Sequence, residues 1–150
     1  MNVQHNCSPK VLYHLTEYDY GEETRWAPKK FGNNRSPSEP IIPRICFSLF
    51  VPGCFISLGN IANHYKNWYL YSACAEYYKP STLEVVDAEV AQEVWRLSPV
   101  TLHKKYRFSN NDRMRIKDLL YFSAGHPSAV KFQTSAKIKL EKLLKSIIND

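Results

Sequence analysis

Val11-Leu12-Tyr13-His14-Leu15-Thr16 sets a histidine and a threonine inside an otherwise apolar run, and its reading decides the rest. Such residues suit a pleated, half-buried surface, so the segment predicts a strand. Alternation then puts Leu12, His14 and Thr16 on one face and Tyr13 and Leu15 on the other. Two later runs repeat the pattern of one polar residue in an apolar setting. Arg44-Ile45-Cys46-Phe47-Ser48 ends on a serine, and Ala91-Gln92-Glu93-Val94-Trp95 places a carboxylate at the start of a strand. A compact fold can bring the histidine, the serine and the glutamate to one cleft.

Outward from these runs, residues 1–9 read as a loose tail. Glu17 to Pro43 is polar, carries Pro28, Pro37, Pro40 and Pro43 with a Gly32-Asn33-Asn34 turn signal, and reads as one long loop. Ile45 to Phe50 predicts a second strand. Pro52 to Asn63 predicts a short helix, because Pro52 suits a first turn and Phe55, Leu58, Ile61 and Ala62 keep helical spacing. Strands follow at Trp68 to Cys74, Leu83 to Val86, Glu93 to Leu97 and Val100 to Phe108. The texture then changes from period two to period 3.6. Ser109 or Asn110 caps a helix over about Asn111 to Phe122, with Met114, Leu119 and Leu120 offered for packing. Gly125-His126-Pro127 breaks it. A last helix from about Ser128 carries Phe132, Ala136, Leu140, Leu143, Leu144 and Ile147 on one stripe, with Lys131, Lys139, Lys142 and Lys145 opposite. The expected fold is α+β: a mostly antiparallel, split sheet of about five or six strands followed by two C-terminal helices. The 150 residues form one domain, with a sheet-rich core over 10–108 and a helical, basic part over 109–150.

Composition excludes several classes. With 44% apolar and 13% aromatic residues the chain has ample core material, which argues against wholesale disorder. Cys7, Cys46, Cys54 and Cys74 show no paired spacing and no nearby histidine doublet, so no structural zinc site is expected. His5, His14, His64, His103 and His126 have no metal-ligand spacing either. A cysteine nucleophile built from Cys46 or Cys54 with His64 is disfavoured, because burial in apolar runs makes a thiol inert. No secretory signal and no apolar run of about 20 residues is present, so a reducing cytoplasm is expected, with no membrane partner. The charge is uneven. Residues 101–150 hold eleven basic and four acidic groups against a whole-chain net of +6, so the last third supplies the entire excess. Arg113, Arg115, Lys117, Lys131, Lys139, Lys142 and Lys145 are the candidates to meet an anionic partner.

The three runs resemble the motifs of ADP-ribosyltransferases of the bacterial-toxin and poly-ADP-ribose polymerase kind, and of the RNA 2′-phosphotransferases related to them. Tyr13-His14-Leu15-Thr16 looks like the first motif, an aromatic or leucine before histidine and then threonine. Arg44 to Ser48, followed by a short helix, looks like the second. Gln92-Glu93-Val94-Trp95 looks like the third. The resemblance implies NAD-dependent ADP-ribosyl transfer to a protein or nucleic-acid target, with NAD as substrate. It implies that His14 and Thr16 hold the adenine-side ribose, that Ser48 lines the nicotinamide slot, and that Glu93 is catalytic. The glutamate would hold the nicotinamide-ribose 2′-hydroxyl and face the developing positive charge. Removing such a group commonly costs on the order of 10² in rate. Tyr69 is a cofactor-stacking candidate, with Tyr65 and Tyr71 as alternatives. Ala91 stands where arginine-directed members carry a glutamate or glutamine, so the likeness does not extend to arginine-directed transfer. The chain is also similar to small phage and bacterial proteins sharing a Pro-Arg-Ile-Cys-Phe-Ser stretch, which implies such a source and, for a phage protein, the host cytoplasm.

Two competing readings stand beside this one. The first is a non-catalytic binding module, a phage or bacterial inhibitor that uses the basic C-terminal third on nucleic acid or an acidic protein surface. The second is a transferase-like fold that binds NAD, a nucleotide or an RNA end without turnover. The enzyme reading requires His14 and Glu93 to reach one cleft beside Ser48, and side chains held on opposite faces of the sheet would exclude it. The oligomeric state is not legible.

Overall fold

The computed structural model describes residues 3–4, 10–30, 40–58, 64–85, 88–124 and 134–148. The elements run β1 (Val3–Gln4), β2 (Lys10–Thr16), β3 (Glu23–Trp26), β4 (Ile45–Ser48), α1 (Val51–Leu58), β5 (Tyr69–Ala75), β6 (Tyr77–Tyr78), β7 (Glu93–Arg96), β8 (Val100–Arg107), α2 (Asn110–Ala124) and α3 (Thr134–Ile148). The expected α+β class holds, two C-terminal helices included. The sheet has eight strands among the described residues, in the order β1-β6-β7-β4-β2-β5-β8-β3. Every pairing in it is antiparallel.

The split lies between β2 and β4. β2 pairs with β5 along its whole length, from Lys10↔Ala75 to Thr16↔Tyr69, yet it meets β4 at one register pair, Tyr13↔Ser48. Two half-sheets therefore share a narrow seam. β2 is buried on both faces, which explains why its sequence is nearly continuous in apolar residues. Leu15 joins Phe55, Trp68, Leu70, Phe108, Ile116, Leu140 and Leu144 on the helix side. Leu12 joins Ile45, Phe47, Tyr71, Val94 and Leu102 on the far side. A third cluster gathers Tyr78, Val85, Ala88 and Trp95.

Local chemistry sets the element ends. β4 stops at Ser48, whose Oγ accepts the Phe50 N–H at 3.2 Å and turns the chain into α1. Gly53 follows because a Cβ there would collide with the Ala91 carbonyl and Ser48 Oγ. α2 opens on a reciprocal cap: Asp112 N–H donates to Ser109 Oγ at 3.1 Å, and Ser109 N–H donates to Asp112 Oδ2 at 3.3 Å. On α3, Leu140, Leu144 and Ile147 are buried and Leu143 is half-buried, while Lys139, Lys142 and Lys145 face out. The stripe matches its expected helical spacing.

Four expectations are corrected. The segment expected as one loop from Glu17 to Pro43 contains β3, an edge strand whose Glu23-Thr24-Arg25 polarity suits a sheet border and hides its period. Leu83 belongs to a turn after Ser81 and is 85% exposed, and β6 takes the sheet position expected of Leu83 to Val86. Val3–Gln4, expected within a loose tail, pair with Tyr77–Tyr78. Met114 points to solvent rather than packing. The expected helix end at Asn63, the Gly125-His126-Pro127 break, the helix start near Ser128, Phe132 and Lys131 lie outside the described residues, as does the Ala136 side chain.

Candidate functional site

His14 sits at the seam. Its Nδ1 lies 2.8 Å from the Cys46 carbonyl oxygen. A carbonyl only accepts, so Nδ1 carries the proton and Nε2 presents a lone pair. The imidazole makes edge-to-face contacts with Trp26 and Phe47 at 4.9 and 5.9 Å between centroids. Burial lowers its pKa, and the bond to the Cys46 carbonyl opposes that shift. The ring is therefore neutral at neutral pH and suited to accept a hydroxyl proton.

Ser48 and Glu93 face each other across β4 and β7, and Tyr13 faces Ser48 across the seam. Residues directly opposite share a face and neighbours alternate. Tyr13, Ser48 and Glu93 therefore project to the helix side, and His14 projects with Phe47 to the far side. All of them nevertheless line one cavity of about 80 Å³ under α1, closed by Cys54, Ser57 and Leu58. Ser48 is 3% exposed. Its hydroxyl lies 2.6 Å from the Ala91 carbonyl and 2.8 Å from that of Phe50, so it ties the end of β4 to the segment before β7. Glu93 Oε2 accepts the Trp95 indole N–H at 2.8 Å. Gln92, just before it, has φ at 50°, a left-handed conformation uncommon for a residue with a long side chain.

On the far side His14 forms part of the wall of a groove of about 660 Å³. Thr16, Tyr18, Tyr20, Trp26 and Tyr65 supply hydroxyls and rings to it. Among the described residues Arg25, Lys29, Lys30 and Arg44 line it with one carboxylate, Glu17. Tyr18 and Tyr20 are 60% and 44% exposed, yet the loop that carries them is pinned. The Tyr71 hydroxyl donates to the Gly21 carbonyl at 2.8 Å and accepts the Tyr20 N–H at 2.9 Å. Lys104 Nζ holds Asp19 at 2.6 Å, and its hydrogen bond draws the Asp19 pKa down. Arg44 is buried, donates to the Pro40 and Ile42 carbonyls at 2.8 and 3.3 Å, and stacks 4.0 Å over Trp95.

Of the expected cofactor residues, His14 and Thr16 meet in the groove, and His14, Ser48 and Glu93 meet at the small cavity. Tyr69 stands opposite Thr16 but is not in the groove's lining. It is buried under Lys104 and Arg107, whose cations sit 5.4 and 5.8 Å from its ring centroid. Among the three tyrosines weighed, Tyr65 lines the groove. The basic C-terminal residues divide. Arg113 is turned inward, donating to the Tyr65 carbonyl at 2.7 Å and lying 5.7 Å from the Trp68 ring centroid. Lys117 lies beside the same ring, its pKa lowered by burial and then by Arg113. Arg115, Lys139, Lys142 and Lys145 are exposed, and Lys145 reaches Glu141 at 3.6 Å. Burial pushes the Cys54 thiol up to about 12, and the described residues hold no metal-binding cluster.

Sequence reasoning missed Tyr18, Tyr20, Trp26, Lys29 and Lys30. Their signal was available in the aromatic and basic content of the Glu17 to Pro43 segment, but its assignment as a plain loop concealed it. No protein-family model matches this chain, and neither a curated protein nor a solved structure is significantly similar to it. No helix among the described residues is long and apolar enough to cross a membrane.

Proposed function

We propose that the chain binds NAD in the groove around His14 and Thr16 and transfers ADP-ribose from it with Glu93 as the catalytic carboxylate. One observation carries the reading. His14 belongs to both the aromatic, basic groove and the small cavity that Ser48 and Glu93 line. Rings interleaved with cations suit a nucleotide, whose base stacks and whose phosphates take the positive charge. The neutral His14 would accept a ribose hydroxyl. In the transfer the C1′–N bond of NAD breaks, its electron pair leaves with neutral nicotinamide, and the positive charge left on the ribose faces the Glu93 carboxylate. A nucleophile of the protein or nucleic-acid target then bonds to C1′ and gives up its proton. The left-handed Gln92 supports the assignment, since strain of this kind concentrates at functional positions.

Binding without turnover is the second reading, and the register favours it. Glu93 projects to the face opposite His14, bonded to the Trp95 indole, and a cavity of about 80 Å³ is small for a nicotinamide riboside. Transfer therefore requires the seam between β2 and β4 to open.

Saturation-transfer NMR of NAD with the purified protein tests the binding, and nicotinamide release tests the transfer. The expected results are a signal lost in His14→Ala, and a release rate lowered on the order of 100-fold in Glu93→Gln. NAD binding with no nicotinamide release leaves the second reading. Failure of NAD to bind overturns both.

A further inference from the structure

A second opening lies between α3 and the seam, a cavity of about 270 Å³ with an apolar floor. Leu49, Phe50, Val51, Pro52, Leu144 and Ile148 make that floor. Its rim is cationic. Lys145 comes from α3, and Lys137, about two helical turns before it, holds its ammonium 4.8 Å from the ring centroid of Phe50, a lining residue. Lys105 arrives by a special route. β5 and β8 pair as Leu70↔Tyr106 and Tyr71↔Lys104, which leaves Lys105 as the extra residue of a β-bulge. A bulge re-aims a side chain that strict alternation would send elsewhere, and here it delivers a lysine to the cavity wall. Among the described residues Glu141 is the one carboxylate in the lining, and it pairs with Lys145 at 3.6 Å.

We infer that this cavity docks an acidic, apolar peptide segment of a partner protein, with one apolar side chain on the floor and carboxylates on Lys105 and Lys145. The volume decides the scale of the ligand. At about 270 Å³ the cavity sits at the lower edge of the range of about 300–1,000 Å³ for small-molecule sites and takes one or two side chains. Charge decides the sign: among the described residues Lys105 and Lys145 line the cavity against Glu141, and Lys137 lies against Phe50. Tyr13 lines both this cavity and the one that holds Glu93, so a docked segment lies one side chain away from the proposed catalytic carboxylate. The docking itself does not depend on the NAD reading.

The probe is a fluorescein-labelled peptide alternating glutamate with leucine, read by anisotropy in the absence of NAD. Lys105 and Lys145 are both exposed, so Lys105→Glu/Lys145→Glu keeps the fold, which an unchanged circular dichroism melt verifies. The double variant is expected to weaken binding about tenfold or more, and salt to weaken it steadily. Val51→Asp, which charges the floor at the first turn of α1, is expected to weaken it as well. A peptide alternating glutamate with serine should bind less tightly than the leucine peptide. The proposal is overturned if the leucine peptide does not bind, or if the double reversal leaves binding unchanged. It is also overturned if a peptide alternating lysine with leucine binds equally well, or if a thymidine oligonucleotide binds more tightly and loses that binding in the same double variant.

Discussion

His14 contributes to folding as a neutral group. Its Nδ1–H is committed to the Cys46 carbonyl and its ring is enclosed by Trp26 and Phe47, so burial holds its pKa below the ordinary 6.5. The unfolded chain therefore takes up the proton first as the pH drops. Stability from this residue is fully present above about pH 6.5 and is lost as the pH falls through the lower folded-state value. Urea titrations across that range should show an acid-side decline in wild type that is shallower in His14→Asn. Equal slopes would place the imidazole in solvent. Ser48 offers a sharper test. Its buried hydroxyl serves the Ala91 and Phe50 carbonyls and the Phe50 N–H, so Ser48→Ala is expected to cost about 1–3 kcal/mol. A mutant as stable as wild type would mean these groups find other partners. The sequence marked His14, Ser48 and Glu93 because each interrupts an apolar run. It could not say that Ser48 would be saturated by backbone, since Ala91 lies 43 residues away along the chain.

The elements differ in how openly the sequence declares them. α3 is plain because burial on one side and water on the other write a 3.6 period into its residues. Leu144, fully buried against α1 and the sheet, holds that packing. Leu144→Ala should destabilise the protein by about 2–5 kcal/mol in chemical denaturation. A loss well under 1 kcal/mol would show that α3 is not part of the cooperative core. The cap of α2 was legible as Ser109 or Asn110, and the reciprocal bonds between Ser109 and Asp112 decide for Ser109. Ser109→Ala should therefore lower stability by about 1 kcal/mol, and an unchanged melt would refute the cap. β3 was illegible for the opposite reason. An edge strand buries little, so Glu23, Thr24 and Arg25 carry no alternation, and only pairing with β8 reveals the strand. β6 is two residues long, too short for any period to register.

At the scale of the molecule the seam is the main feature. β2 and β5 share seven register pairs, while β2 and β4 share one. Local opening follows the weakest set of contacts. Hydrogen exchange should therefore be faster at the β2-facing edge of β4 than in the β2–β5 ladder. Equal protection on both sides would mean the half-sheets open together. The proposed transfer at Glu93 would depend on this property, because His14 lines both the groove and the cavity with Glu93. The sequence by itself determined the α+β class, the order of the main strands, the amphipathic last helix and the three residues that stand out of apolar runs. Those follow from local propensity and periodicity, which are written within a few residues of each position. Tertiary structure alone decided which face each of the three residues takes, which aromatics flank His14, that Arg113 turns inward, and that Lys105 reaches the α3 cavity. Register, bulges and edge pairing join residues tens of positions apart. Their free energies come from packing between strands and helices, and no local window of sequence contains both partners.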